Sequence, residues 1–207
     1  MSGAEVERIV TSGTFSLDGG TWDVDNNVWL YGDADEVVVV DAAHDAQAIA
    51  NAIGGRTVRA ILCTHGHDDH IDKALELGRE VDAPVLLHPA DRELWDRVHD
   101  TAPTGELSDG QQFTVAGATL TVRHTPGHSP GGVCLVGDGV VFSGDTLFAG
   151  GPGATGRSFS DFPTILASIR EHLLGLPAGT VVHTGHGDDT TIGAEAPDYD
   201  AWVARGH

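Results

Sequence analysis

Short apolar runs alternate along the chain with breaks rich in glycine and aspartate, and this rhythm outlines the elements before any chemistry is considered. Glu36 to Asp41 encloses an unbroken run of valines, the pattern of a strand covered on both faces. Val6 to Val10 and Asn27 to Tyr31 read as earlier strands, and Thr57 to Cys63 as the next one. Asp45 to Ile53 has helical spacing and stops at Gly54-Gly55. Ile71 to Val81 places Ile71, Ala74, Leu75 and Leu77 on one helical face, so Asp69 and His70 fall near a helix start. Pro84 to His88 predicts a strand, and Pro89 to Val98 a helix opened by proline.

The second half begins with paired β signals. Gln112 to Val115 and Ala118 to His124 flank Ala116-Gly117, and Gly131 to Val136 and Val140 to Ser143 flank Gly137-Asp138-Gly139. Gly150 to Ser160 is glycine-rich and irregular. Asp161 to Leu174 is amphipathic, with Phe162, Ile165, Leu166, Ile169, Leu173 and Leu174 as its apolar stripe. Thr180 to His183 predicts a last strand, and Tyr199 to Ala204 a short helix. Strands and helices alternate in each half around a β-rich middle, which predicts sheets covered by helices on their outer faces. No repeat, low-complexity tract or linker divides the 207 residues, so residues 1–207 read as a single domain.

Charge narrows the partners. Thirty-one acids against 11 bases give a net charge of -20, which repels nucleic acid and acidic membrane surfaces, and no lysine and arginine cluster reverses the field locally. No apolar run approaches the roughly 18 residues that a membrane span needs. The start, Met1 to Glu7, lacks the basic and apolar regions of a signal peptide, so a soluble, cytoplasmic protein is expected. Cys63 and Cys134 each lie in an apolar run and read as small buried hydrophobes.

Candidate chemistry concentrates where the apolar run Ile61 to Cys63 gives way to Thr64-His65-Gly66-His67-Asp68-Asp69-His70. Imidazole nitrogen and carboxylate oxygen are the ligands that borderline divalent metals such as zinc take. His65, His67, Asp69 and His70 supply four of them within six residues, more than one ion would comfortably use, so the spacing points to two. His128, Asp145 and His186 each follow another apolar β run, at the strand ends where αβ sheets place their binding crevices.

These residues resemble the metallo-β-lactamase-fold hydrolase superfamily. The match comprises Asp41, the stretch from Thr64 to His70, Thr125-Pro126-Gly127-His128-Ser129-Pro130-Gly131, Phe142-Ser143-Gly144-Asp145-Thr146-Leu147-Phe148 and Thr184-Gly185-His186-Gly187, in order over nearly the whole chain. The resemblance implies an α+β protein, a four-layer αβ/βα sandwich, with two divalent metal ions at one edge: zinc first, iron or manganese as alternatives. It implies that His65, His67 and His128 hold one ion, that Asp69, His70 and His186 hold the other, and that Asp145 bridges them. Asp69 is also taken as the catalytic carboxylate, and Asp41 as the residue that orients the histidine loop. Two ions so placed can share a water and deliver it as hydroxide to a carbonyl.

Within the superfamily, Asp145 stands where the commonest class B β-lactamases use cysteine, which disfavours lactam hydrolysis. The segments around His128 and Asp145, with Gly156-Arg157, look like glyoxalase II (hydroxyacylglutathione hydrolase) and its single-domain relatives. A thioesterase acting on S-acyl derivatives of a low-molecular-weight thiol is therefore expected, without the helical C-terminal region that grips glutathione. The rivals are a persulfide dioxygenase with one iron on His65, His128 and Asp145, a lactonase, for which only Tyr31 and Tyr199 could supply the usual tyrosine, and a non-catalytic metal binder. Arg157 is a candidate anchor for a substrate carboxylate. His88 and His124 are expected to cap or pack, His44, next to Asp41, to lie near the site or, as the more ordinary expectation, to occupy a solvated helix start, and His183 to line the edge of the crevice.

Overall fold

A computed structural model describes residues 3–206. The first sheet has six strands in the order of the chain: β1 (Glu5–Leu17), β2 (Gly20–Gly32), β3 (Glu36–Val40), β4 (Thr57–Leu62), β5 (Val85–Leu87) and β6 (Gly105–Glu106). β1, β2 and β3 pair antiparallel, and β3 to β6 pair parallel. The second sheet contains β7 (Gln112–Val115), β8 (Ala118–His124), β9 (Val133–Val136) and β10 (Val140–Gly144). After a two-stranded ribbon of β11 (Leu147–Phe148) and β12 (Gly151–Pro152), it is completed by β13 (Val181–Thr184), parallel to β10, and β14 (Thr190–Thr191).

Side-chain alternation sorts the strands into layers. Val38 and Val40 point inward, with Trp29 and Leu62, against Leu120, Val122, Leu135 and Phe142 of the second sheet. Their neighbours Val37 and Val39 point outward, to helices α1 (Ala46–Ile53), α2 (Asp68–Ile71), α3 (Ala74–Glu80) and α4 (Arg92–Trp95), burying Ile49, Ile71, Leu77 and Trp95. On the far side, Cys134, Val141 and Val182 meet α5 (Phe162–His172), α6 (Ile192–Glu195) and α7 (Tyr199–Arg205) through Ile165, Ile169, Ile192 and Trp202. The result is the expected four-layer αβ/βα sandwich. No helix among the described residues is long and apolar enough to cross a membrane.

Four expectations about elements need correcting, the first being that Thr180 to His183 is not the last strand, because the short β14 follows and pairs antiparallel with it. The helix expected over Ile71 to Val81 is two, α2 and α3, broken at Asp72-Lys73, and its start lies three residues earlier, at Asp68. Pro89 to Val98 is a single 3₁₀ turn, Pro89–Asp91, followed by the four-residue α4. Val6 to Val10 and Asn27 to Tyr31 are only the far ends of β1 and β2, 13 residues each, joined at Asp18-Gly19. Both turn residues have positive φ, 53° and 79°, the backbone of a two-residue type I′ hairpin.

Candidate metal centre

The loops after β4, β8, β10 and β13 converge at one edge of the sandwich and bring all seven expected side chains together. Three groups of donors each lie with their atoms within 4.8 Å of one another: His65, His67 and His128; His65, His70 and Asp145; and Asp69, His70 and His186. Asp145 sits between the two outer trios. Its Oδ1 is 3.4 Å from His70 Nε2, and its Oδ2 is 3.4 Å from His128 Nε2 and 3.5 Å from His186 Nε2.

The hydrogen bonds around the rings test whether the set suits a cation. His128 Nδ1–H donates to the Ala154 carbonyl and His186 Nδ1–H to the Asp25 carbonyl, both at 2.8 Å, and His70 Nδ1 meets Asp41 Oδ2 at 2.8 Å. These partners orient the three rings so that each Nε2 is directed inward, where loss of its proton would free a lone pair for a cation. There His128 Nε2 faces His67 Nδ1 at 3.0 Å, and His70 Nε2 faces His186 Nε2 at 3.2 Å. His65 Nε2, His67 Nε2 and Asp145 Oδ1 are buried without a hydrogen-bond partner. Facing imidazole nitrogens and orphaned buried acceptors are what a bound cation would satisfy, so the donor set fits divalent metal.

Electrostatics divide the centre in two. Burial pulls His67 down to about 3 and His65 in the same direction, so these rings are neutral and ready to ligate at neutral pH. Burial would also lower His70 and His186, but carboxylates win there: Asp69, Asp145 and Asp41 raise His70, and Asp145 and Asp69 raise His186. Against its own burial, Asp69 is lowered to about 2 by His70 and by hydrogen bonds from His186 and Asn26. A metal entering this half displaces protons.

Local sequence explains how the ligands are held. Asp41, at the end of β3 with φ 63°, accepts hydrogen bonds from the Thr64 N–H at 2.7 Å and the Thr64 hydroxyl at 2.8 Å, besides its contact with His70. It therefore orients both the histidine loop and one ring, as expected. His67 is the residue before α2, and Asp69 and His70 lie within that single turn. Two polar groups that sequence reasoning passed over also belong here. Asn26 Nδ2 donates to Asp69 Oδ2 at 3.0 Å and lies 3.2 Å from His70 Nε2. Buried Asp91 reaches the loops of His65 and His128 from behind. The visible signal for Asn26 was a polar pair, Asn26-Asn27, just before a strand's apolar stretch; Asp91 had none.

A cavity of about 260 Å³ opens onto the cluster, walled by Phe15, Leu17, Trp22 and Val24 of the β1–β2 hairpin. Opposite them Arg157 stacks its guanidinium 3.8 Å from the Trp22 ring, and the Ser158 N–H donates to Asp18 Oδ2 at 3.0 Å, tying the 150–160 loop to the hairpin tip.

Other expected residues fall as follows. His88 Nδ1 accepts from the Ala90 N–H and its ring stacks on His124 with centroids 4.0 Å apart, the capping and packing role expected. Cys63 and Cys134 are buried free thiols raised by desolvation, Cys134 to about 11. His44 is not solvated: its Nε2 lies 2.8 Å from Asn26 Oδ1, behind the centre. Nor does His183 line the cavity, because its ring packs between Trp29 and Phe142, at 4.6 and 5.2 Å between centroids. Tyr31 packs on Phe142, and Tyr199 on Trp202, so neither tyrosine borders the cavity.

Comparison with known proteins follows the same lines. The family model described as the metallo-beta-lactamase superfamily matches residues 21–186. An uncharacterised protein of Aquifex aeolicus is 33% identical over 174 residues, covering 77% of this chain and 82% of that one. A hydroxyacylglutathione hydrolase of Methylobacillus flagellatus is 37% identical over 164 residues, but the match spans only 62% of that enzyme and 78% of this chain. Among solved structures, the B3 metallo-beta-lactamase BLEG-1 superposes with a TM-score of 0.76 at 32% identity, over 92% of this chain and 97% of that one. TTHA1623 in a di-iron-bound form gives 0.73 at 33%, over 83% and 92%. With the sandwich, the histidine loop and the matched model in agreement, this chain belongs to the metallo-beta-lactamase superfamily.

Proposed function

We propose that the protein is a metal-dependent hydrolase that cleaves S-acyl derivatives of a low-molecular-weight thiol, using two divalent ions. The observation that carries this reading is the facing of two donor trios across Asp145, with His65 Nε2, His67 Nε2 and Asp145 Oδ1 buried and satisfied by no protein group. His65, His67 and His128 would hold one ion and Asp69, His70 and His186 the other, with Asp145 shared. Zinc is the first expectation; the di-iron form of TTHA1623 keeps iron beside it, with manganese as the third. Bound there, such ions supply Lewis acidity and bring the pKa of water toward neutrality.

The chain's own residues account for the remaining steps. Phe15, Leu17, Trp22 and Val24 offer an apolar wall for the acyl group, and Arg157 at the same cavity supplies a guanidinium able to meet a substrate carboxylate. Asp69 lines the cavity with Oδ2 held by Asn26, which places its carboxylate to accept a proton from the attacking water. As the C–O bond forms, the C–S bond breaks and sulfur leaves with the electron pair. A thiol of pKa about 8.5 departs readily as thiolate, so no acid is needed on the leaving side. The resemblance to hydroxyacylglutathione hydrolase supports the thioester class; because the match stops at 62% of that enzyme, the thiol carrier is left general. A small-molecule substrate in the cytoplasm, rather than a polyanion, accords with the charge of -20.

The test is thiol release from a panel of glutathione, mycothiol-type and coenzyme A thioesters by protein loaded separately with zinc, iron and manganese. At least one thioester should reach a kcat/KM of about 10⁴ M⁻¹ s⁻¹. His67→Ala should lower that by at least about 100-fold while the unfolding midpoint of the metal-free protein is retained. Persulfide-dependent oxygen uptake, or turnover of a lactone with no thioester cleaved, would replace the reading by the corresponding rival.

A further inference from the structure

The two loops that supply His65, His67 and His128 come from different sheets, and one side chain outside the ligand set joins them. Asp91 ends the 3₁₀ turn after β5 and is fully buried. Its Oδ2 accepts the Gly66 N–H at 2.7 Å and the Ser129 hydroxyl at 2.6 Å, and its Oδ1 accepts the Gly131 N–H. Gly66 lies between His65 and His67, and Ser129 directly follows His128. The carboxylate thus ties together the two loops of one donor trio, and its hydrogen bonds go to no residue of the other.

Two features make this more than a packing contact. A Cβ on Gly66 would fall 3.0 Å from Asp91 Cβ, and one on Gly131 would fall 2.8 Å from Asp91 Cγ, so both loops approach the carboxylate as closely as glycine permits. All three partners are hydrogen-bond donors rather than a lysine or arginine. Burying a carboxylate in this way is costly, and it satisfies these donors as no isosteric side chain could. An asparagine would have to turn its NH₂ toward one of them.

We infer that Asp91 is the positioning residue of the His65, His67 and His128 trio, setting the spacing between two loops so that one cation can be taken by three imidazoles. This rests on the metal-binding reading above. The experiment separates the two trios by removing one ligand from each: His186→Ala leaves the His65, His67 and His128 trio complete, and His67→Ala leaves the Asp69, His70 and His186 trio complete. Cobalt affinity is then read in each background by competition with a chromophoric chelator, with and without Asp91→Asn.

Asp91→Asn should weaken cobalt binding about 10- to 100-fold in the His186→Ala background, and by less than about threefold in the His67→Ala background. Equal weakening in both, or none in the first, would overturn the inference and leave the hydrolase reading standing. Failure of the parent chain to bind cobalt at all would overturn both. If Asp91→Asn does not fold, Ser129→Ala, which removes one donor and leaves the carboxylate, takes its place. About a three- to tenfold loss confined to the same background supports the inference, and an unchanged affinity refutes it.

Discussion

Asn26 sits within β2, where a half-buried strand would ordinarily carry an apolar side chain, and both ends of its amide are occupied. Nδ2 holds Asp69 Oδ2, while Oδ1 lies 2.8 Å from His44 Nε2, and the His44 N–H is anchored at 2.8 Å to Asp72 Oδ1. Asn26→Ala should therefore loosen Asp69 and weaken metal binding by the Asp69, His70 and His186 trio about tenfold, measured by the same chelator competition in the His67→Ala background. A second prediction concerns pH. Burial, with His124 adding to it, lowers His88 to about 4, while Asp109 opposes the shift. Unfolded, the ring would titrate near 6.5, so between those values the unfolded chain binds more protons. The stability that His88 contributes is present above about pH 6.5 and is lost as pH falls toward 4. In urea titrations with a chelator present, His88→Gln should flatten the fall in midpoint between pH 7 and 4.5. At this scale the sequence displayed its ligands well, because histidine and aspartate announce their chemistry and their spacing. It did not display the roles of Asn26 or Asp91. Their roles exist only where separate segments meet: the pair Asn26-Asn27 before an apolar stretch hints at a buried amide, but nothing local distinguishes Asp91 from a surface aspartate.

The β1–β2 hairpin shows why some elements were harder to read than others. The runs Val28 to Tyr31 and Val37 to Val40 are buried on both faces and declare themselves by hydrophobicity alone. From Thr11 to Asp25 the same strands project beyond the sandwich and alternate between polar and apolar side chains, so no core-like signal marks them. The turn signal, Asp18-Gly19, was in plain view, and extending both strands to it would have recovered the cavity wall. That wall carries a prediction. Trp22, 40% exposed, contributes little to the core but gives Arg157 its platform and the cavity its apolar side. Trp22→Ala should raise KM for the preferred thioester about tenfold and leave kcat within about threefold, the pattern expected when binding is lost equally from ground and transition states. Metal stoichiometry and unfolding midpoint should not change. A fall in kcat with KM constant would instead place Trp22 in the chemical step.

For the whole molecule, charge and metal are coupled. A chain of net charge -20 strains its own compact state by self-repulsion, and four of its carboxylates, Asp41, Asp69, Asp91 and Asp145, are buried or nearly so at one edge of the sandwich. Divalent cations would relieve that repulsion in two separable ways: by general screening, which any salt provides, and by binding to the folded state alone. Specific binding stabilises by RT ln(1 + [M]/Kd), about 4 kcal/mol per site when free metal exceeds Kd by 1,000-fold. For a protein of this size about 1 kcal/mol shifts the melting temperature by roughly 2–4 °C, so filling one site should raise it by about 8–16 °C. Micromolar zinc added to chelator-stripped protein should produce a rise of that order, whereas sodium chloride should match it only at ionic strengths that shorten the screening length to a few ångströms, about 1 M. Removing a ligand from each trio should abolish the zinc effect and leave the salt effect intact. If zinc and salt were interchangeable at equal ionic strength, zinc would be acting only by screening the chain's charge, and the metal centre would have to be given up.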